Sequence, residues 1–138
     1  MRKFFICLIV FCSVYDINAQ TFFSGGPITG AVTENSAVIY FRTNSTKDIQ
    51  FEYGTDLNFI SYDSILVSTS SANYNTMHIN LNSLQSDTRY YYRLKDVAAD
   101  TFLSSVFRFK TFPPAGTISN IKLIVGSCNY NNMPGGGQ

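Results

Sequence analysis

The chain has 138 residues, of which 10 are Lys or Arg and 9 are Asp or Glu, giving a formal net charge of +1 at pH 7. Lys and Arg are scattered along it, whereas nucleic-acid-binding proteins normally show a basic surplus or a basic stripe. We therefore exclude nucleic-acid binding. The length suits one domain of about 100 residues, which is large enough to bury a hydrophobic core unaided.

The N-terminus has the pattern of a secretory signal peptide. Arg2 and Lys3 precede an apolar run at residues 4–14, and Ala19 provides a small residue for cleavage before Gln20. The run is about 11 residues, short of the roughly 20 that span a bilayer, and no other segment approaches that length. Residues 1–19 are therefore predicted to be removed, leaving a formally neutral, soluble protein exported to the periplasm or the extracellular space. An uncleaved anchor is the alternative.

Cysteine usage leaves one thiol in the mature chain. Cys7 and Cys12 lie in the predicted signal peptide, so only Cys128 remains and an internal disulfide is impossible. In an exported protein such a cysteine indicates an intermolecular disulfide, a buried thiol or a metal ligand. From the residues alone, a buried thiol is the favoured interpretation.

From Gly25 onward, short apolar or alternating segments are separated by turn residues, and no long stretch has helical periodicity. This pattern predicts an all-β protein, built as an antiparallel β-sandwich. Pro27 in the first strand suits an edge position. Strands are predicted at residues 26–32, 37–43, 47–53, 64–68, 74–81, 89–95 and 103–111.

Residues 84–92 indicate the kind of sandwich. Leu84, Thr88 and Tyr90 have the spacing of a tyrosine corner, in which the ring packs inward and the hydroxyl bonds to backbone just upstream. Such corners are typical of fibronectin type III-like and immunoglobulin-like sandwiches. Alternation along the strand predicts a core row and a water-facing row: Tyr90, Tyr92 and Leu94 inward, and Arg89, Tyr91, Arg93 and Lys95 outward. The predicted core also contains Leu84, Phe41, Ile39, Ile79 and Phe107.

Two interpretations are open for Tyr91 and its neighbours Arg89 and Arg93. They form either a recognition patch, since Tyr and Arg are common at interfaces, or a flank covered by a following domain.

Other polar residues are expected to be ordinary surface groups. His78, the only histidine, faces outward from its strand and is predicted to be solvated, as are the carboxylates of Asp48 and Glu52. The Asn44-Ser45-Thr46 sequence matches a glycosylation sequon, a pattern that is common by chance.

The character of the chain changes after Phe112. Residues 113–120 are rich in Pro and Gly and are predicted to be a stiff linker, so the sandwich covers residues 20–112. The apolar run at residues 121–125, followed by Gly126-Ser127-Cys128, is typical of a buried strand in a larger layered domain. Residues 121–138 are therefore predicted to begin a second, truncated domain. A natural flexible tail is the alternative.

Several of these motifs occur in the same order in a known family. They are Arg42-Thr43 after an apolar strand, Tyr53-Gly54-Thr55, Asp-Thr-Arg-Tyr-Tyr-Tyr-Arg at residues 87–93, Phe-Arg-Phe-Lys-Thr at residues 107–111, the proline linker, and Val125-Gly126-Ser127-Cys128. Together they resemble the N-terminal region of the alkaline phosphatase D (PhoD-like) metallophosphoesterases. The resemblance covers roughly residues 25–130.

The resemblance implies a catalytic domain that follows the sandwich, holds iron and calcium, and hydrolyses phosphate esters. It places a cysteine iron ligand at Cys128, and thiolate suits ferric iron. No Asp, Glu or His follows Cys128 in this sequence, whereas a two-metal site needs several such groups. We therefore expect this chain to be a non-catalytic accessory sandwich. The alternatives are an independent fibronectin-like binding or adhesion module and the sandwich of a purple acid phosphatase.

Overall fold

A computed structural model describes residues 22–120. Because apolar and polar side chains alternate in short segments bounded by turns, the described chain folds into strands rather than long helices. Eight strands and one 3-10 helix follow in this order: β1 Phe23–Gly30, β2 Ala37–Thr43, β3 Asp48–Gly54, β4 Asp63–Ser68, the 3-10 helix Ser71–Asn73, β5 Thr76–Leu81, β6 Arg89–Asp96, β7 Thr101–Phe102 and β8 Phe107–Lys110.

The strands form two antiparallel sheets. One sheet has three strands in the order β1-β2-β5. The other has five, in which β4, β3 and β6 are neighbours and both β7 and β8 pair with the remaining side of β6. The all-β sandwich predicted from the sequence is thereby confirmed.

The core lies between the sheets and contains the alternate, inward-facing residues of both. Its buried members on β2, β3, β5 and β6 are Ala37, Ile39, Phe41, Ile49, Phe51, Ile79, Leu81, Tyr90, Tyr92 and Leu94. Leu84, at the corner before β6, is buried too. Phe107 is only half-buried because it lies on the edge strand β8, although its ring stacks on Tyr92 with centroids 5.4 Å apart. The Tyr92 hydroxyl also reaches Thr29 Oγ1 at 3.1 Å, and burial raises the pKa of Tyr92.

The first strand starts earlier than the sequence predicts and ends at Gly30 instead of residue 32. It lies at the edge of its sheet, where Pro27 suits it, and its register against β2 shifts twice. Gly26 makes one shift possible: its φ is +78°, and a Cβ there would lie 2.7 Å from the carbonyl oxygen of Tyr40. A strand irregular in this way lacks the clean alternation on which the prediction relied.

Of the last predicted strand, residues 103–111, only residues 107–110 form a strand, β8, and the short β7 precedes the predicted start. Residues 103–106 leave the ladder between β7 and β8, but Leu103 stays buried and its N–H donates to the Leu94 carbonyl at 2.8 Å. The Leu94 N–H donates in turn to Ser104 Oγ at 3.2 Å. The Ser104 hydroxyl thus takes the place of a backbone carbonyl as the acceptor for Leu94. A pattern of apolar residues does not predict such a substitution.

Asp96 ends β6 as a buried carboxylate rather than as the first residue of a turn. It is 3% exposed. Lys47 Nζ donates to its Oδ2 at 2.5 Å, and the N–H groups of Ala98 and Ala99 donate to Oδ1 at 3.0 and 3.2 Å. The ion pair with Lys47, followed by these backbone bonds, lowers the pKa of Asp96 below its ordinary value.

Candidate interaction surface

The functional candidate is the side of the five-stranded sheet that faces away from the core, which we call the outer face. Strand register assigns to it the following side chains: Gln50, Glu52, Ser64, Leu66, Arg89, Tyr91, Arg93, Lys95, Phe102, Arg108 and Lys110. The sequence predicts that the β6 members of this row lie in water. That prediction is wrong for three of them, since Tyr91, Arg93 and Lys95 are half-buried.

An ion pair between a half-buried arginine and a buried carboxylate lies near the middle of the outer face. Arg93 Nε donates to Glu52 Oε2 at 2.6 Å, and Gln50 Nε2 donates to Glu52 Oε1 at 3.1 Å. The Arg93 guanidinium lies between two rings, 4.1 Å from the centroid of Phe59 and 4.1 Å from that of Phe102. Glu52 is 3% exposed, so the prediction that it is a solvated carboxylate is wrong.

The cover over this pair is the loop of residues 55–62, which folds back onto the sheet after β3. Asp56 stabilises the loop by accepting from the N–H of Asn58 and the N–H of Ile60, each at 3.0 Å, and these two bonds lower the pKa of Asp56. The ring of Phe59, next to Ile60, is buried against Arg93. The loop is why strand alternation alone misplaces Glu52.

The tyrosine corner fixes the far end of β6. The Tyr90 hydroxyl accepts from the N–H of Gln85 at 2.9 Å, five residues upstream. Thr111, just after β8, closes the same corner: its hydroxyl donates to the Gln85 carbonyl at 2.7 Å and accepts from the Thr88 N–H at 2.9 Å. Thr88 also donates through its hydroxyl to the Ser86 carbonyl at 2.8 Å. The corner and the exit from the sandwich are thus one hydrogen-bonded unit.

The chain leaves the sandwich along a defined path. The Phe112 N–H donates to the Thr33 carbonyl at 2.9 Å, and the Ala115 N–H donates to Glu34 Oε2 at 2.8 Å. The residues that end the described chain then line a pocket of about 430 Å³ together with the end of β8; its lining is Asp87, Lys110, Thr111, Phe112, Pro113, Ser119 and Asn120.

Four side chains of β6 and β8 form a compact group beside this exit. Arg89 lies opposite Lys110, and Tyr91 lies opposite Arg108, so all four share one part of the outer face. We call this group the basic block. Within the described residues, its one ion pair joins Lys110 Nζ to Asp87 Oδ1 at 2.5 Å. Arg89 and Arg108, the two guanidiniums nearest Tyr91 in this group, form no ion pair within residues 22–120.

An apolar groove of about 410 Å³ continues from the basic block. Tyr91 and Arg108 contribute to both, and the other lining residues are Leu57, Val106 and Phe107. Leu57 is 55% and Val106 40% exposed. The group around Tyr91 therefore differs from the one considered in the sequence: Arg93 pairs with Glu52, and Arg108 lies opposite Tyr91 on β8. The pairing of residues 89–92 with residues 107–110 is the signal that could have identified Arg108.

The remaining candidates from the sequence are dispersed. Cys128 lies outside the described residues. His78 is exposed on β5, as predicted, with its ring centroid 5.0 Å from that of Tyr40. Asp48 is exposed and accepts from Ser68 Oγ at 2.5 Å. Asn44 of the sequon is exposed.

Residues 22–120 contain neither a cluster of metal-binding side chains nor a membrane-spanning helix. No group of three or more His, Cys, Asp or Glu side chains in this range is placed to hold a metal ion. No helix in the same range is long and apolar enough to cross a membrane.

Solved structures with similar folds are β-sandwiches. A fibronectin type III domain derived from a human protein has a TM-score of 0.53 at 14% identity, with 75% of this chain and 82% of that chain covered. A computationally redesigned β-sandwich protein has a TM-score of 0.52 at 14% identity, covering 65% and 94%. At these identities the likeness concerns the fold alone. This protein is therefore a sandwich of the fibronectin type III-like class.

A more specific match comes from the phosphatases. The structure of PhoD aligns with a TM-score of 0.57 at 20% identity, over 64% of this chain and 19% of the PhoD chain. The family described as PhoD-like phosphatase, N-terminal domain, matches residues 15–113, and this chain belongs to that family. A search of curated proteins found no match.

Proposed function

We propose that this chain is the non-catalytic N-terminal domain of an exported, metal-dependent PhoD-like phosphatase or phosphodiesterase, and that it serves as the platform for a linked catalytic domain. The observation that carries the proposal is the family match over residues 15–113. It also favours PhoD-like proteins over a purple acid phosphatase or an independent adhesion module. The aligned part amounts to 19% of the PhoD chain, so most of that protein has no counterpart in residues 22–120.

The arrangement of ionisable groups supports a structural role for the sandwich. Its buried carboxylates are engaged, Glu52 by Arg93 and Asp96 by Lys47. Functional sites usually contain acids or bases held near a substrate cleft with perturbed pKa values. Here Glu52 and Arg93 join the neighbouring strands β3 and β6, and Asp96 joins the end of β6 to Lys47 and to the turn that follows. The exit of the chain is bound to the body of the sandwich through Phe112 and Ala115.

Export and metal content belong to the same proposal. The signal-like residues 1–19 support export to the periplasm or the extracellular space. We assign iron and calcium to the linked catalytic domain, where the resemblance places Cys128 as a thiolate ligand of iron. Phosphate esters are the proposed substrates of the complete protein.

Hydrolysis of a chromogenic phosphodiester tests the proposal. The purified 138-residue chain should show no turnover above background, whereas the complete protein encoded by its gene should show turnover that a chelator abolishes. Steady chelator-sensitive turnover by the 138-residue chain would overturn the non-catalytic role. If the complete protein shows no metal-dependent hydrolysis, the assignment to a phosphatase fails.

A further inference from the structure

We infer that the basic block and the adjoining groove are the surface on which the linked catalytic domain docks. The docked surface of that domain would present carboxylates to Arg89 and Arg108 and an apolar side chain to the groove. The inference rests on the proposed function, because it takes the linked catalytic domain as the occupant.

The charges of the basic block repel one another in the isolated domain. Arg89 and Lys110 lie directly opposite each other on neighbouring strands, and like charges in that position are destabilising. Asp87 pairs with Lys110, whereas neither Arg89 nor Arg108 forms an ion pair within residues 22–120. A partner carboxylate would remove this repulsion, and guanidinium groups bind carboxylates through two parallel hydrogen bonds.

The apolar part of the surface matches a protein partner better than a small anion. Leu57 and Val106 expose hydrophobic surface beside the half-buried ring of Tyr91. Tyr and Arg carry a large share of the binding energy at protein interfaces when they surround an apolar centre. The loop that presents Leu57 is already ordered by Asp56 and by the packing of Phe59 on Arg93, so docking would cost little conformational entropy.

The basic block lies beside the exit of the chain, and this position favours the linked catalytic domain as its binding partner. Ser119 and Asn120 lie in the same pocket as Lys110, so the chain passes next to the basic block as it continues. A short tether gives a partner an effective concentration in the millimolar range, so an interface of modest affinity remains occupied.

Hydrogen exchange locates the interface directly. Exchange of peptides covering residues 55–58 and 104–110 should be slower by roughly tenfold or more in the complete protein than in the 138-residue chain. Residues 76–80, on the opposite sheet, should exchange equally in both. If the complete protein hydrolyses phosphodiesters but residues 104–110 exchange at equal rates, the docking inference fails while the proposed function stands. If the complete protein lacks hydrolysis, the proposed function has failed.

Charge variants separate docking from folding. The double variant Arg89→Gln/Arg108→Gln should unfold at the same or a higher denaturant concentration than the parent in the 138-residue chain, because repulsion from Lys110 is relieved. In the complete protein the same variant should lose the exchange protection at residues 104–110. Arg42→Gln, at an exposed arginine on the other sheet, is the matched control and should retain the exchange protection at residues 104–110. Protection retained in the double variant contradicts the inference.

A polyanion is the competing occupant. Sodium polyphosphate should not change the tyrosine fluorescence of the 138-residue chain at physiological salt. If it binds, if Arg89→Gln/Arg108→Gln abolishes that binding, and if residues 104–110 exchange equally in the complete protein, then the block is an anion site and the docking inference is overturned.

Discussion

Tyr90 combines two contributions that a single pair of variants can separate. Its buried ring stacks on Phe109 with centroids 5.5 Å apart, and its hydroxyl accepts from the Gln85 N–H. Tyr90→Phe should cost about 1 kcal/mol, the net value of one hydrogen bond. Tyr90→Ala should cost about 3–5 kcal/mol and abolish cooperative folding at ambient temperature, because truncating a buried aromatic leaves a cavity.

Chemical denaturation of the 138-residue chain measures both effects. Tyr91→Phe is the control, since the Tyr91 hydroxyl makes no hydrogen bond within residues 22–120. Equal losses from Tyr90→Phe and Tyr91→Phe would show that the corner bond contributes nothing.

Asp96 should make stability dependent on pH. Its folded pKa lies below the ordinary value of 3.8, so its contribution is fully present above that value and is lost as the pH falls from there toward the lowered pKa. Asp96→Asn should therefore destabilise the chain at pH 7 and progressively less at about pH 3 and below. Unfolding free energies of the parent and the variant at several pH values test this. The exposed Asp63→Asn controls for loss of one carboxylate, and a constant difference between parent and Asp96→Asn would disprove the assignment.

At the scale of elements, β1 depends on one glycine. Gly26→Ala should destabilise the chain by about 2 kcal/mol or more, because alanine is strained at positive φ and its Cβ would meet the Tyr40 carbonyl at 2.7 Å. Gly30→Ala, in the same strand, meets no atom within 4 Å and should be neutral or slightly stabilising. Thermal unfolding of the two variants tests this prediction. Similar melting temperatures would argue against a requirement for glycine at the register shift in β1.

The elements also show which interactions a sequence encodes locally. β2 occupies the predicted residues 37–43, because an apolar run bounded by turns has few other solutions. The corner follows from the spacing of Leu84, Thr88 and Tyr90 in the same way. The burial of Glu52 does not follow from its own strand, because the loop of residues 55–62 covers it and alternation within β3 carries no information about that loop. The neighbours of Tyr91 likewise depend on which strand pairs with β6.

At the scale of the whole molecule, the proposed role of Cys128 as an iron ligand can be tested in the complete protein. In the complete protein, Cys128→Ser should lower iron content and phosphodiester hydrolysis together, because a hydroxyl is a poorer ligand for iron than a thiolate. The sandwich should remain folded, as judged by an unchanged far-UV spectrum. Iron determination and activity on the same preparation test the prediction. Should the variant keep both its iron and its activity, Cys128 is not a ligand.

The closure of the corner by Thr111 also sets the order of events during synthesis. Domains generally fold from the N-terminus as the chain emerges at about 5–20 residues per second. Yet β6 lacks its outer neighbour until residues 107–110 emerge, and the corner stays open until Thr111 and Phe112 follow. The nascent sandwich therefore cannot mature before its last strand leaves the ribosome. Completion of the sandwich therefore coincides with the appearance of the segment that leads out of it.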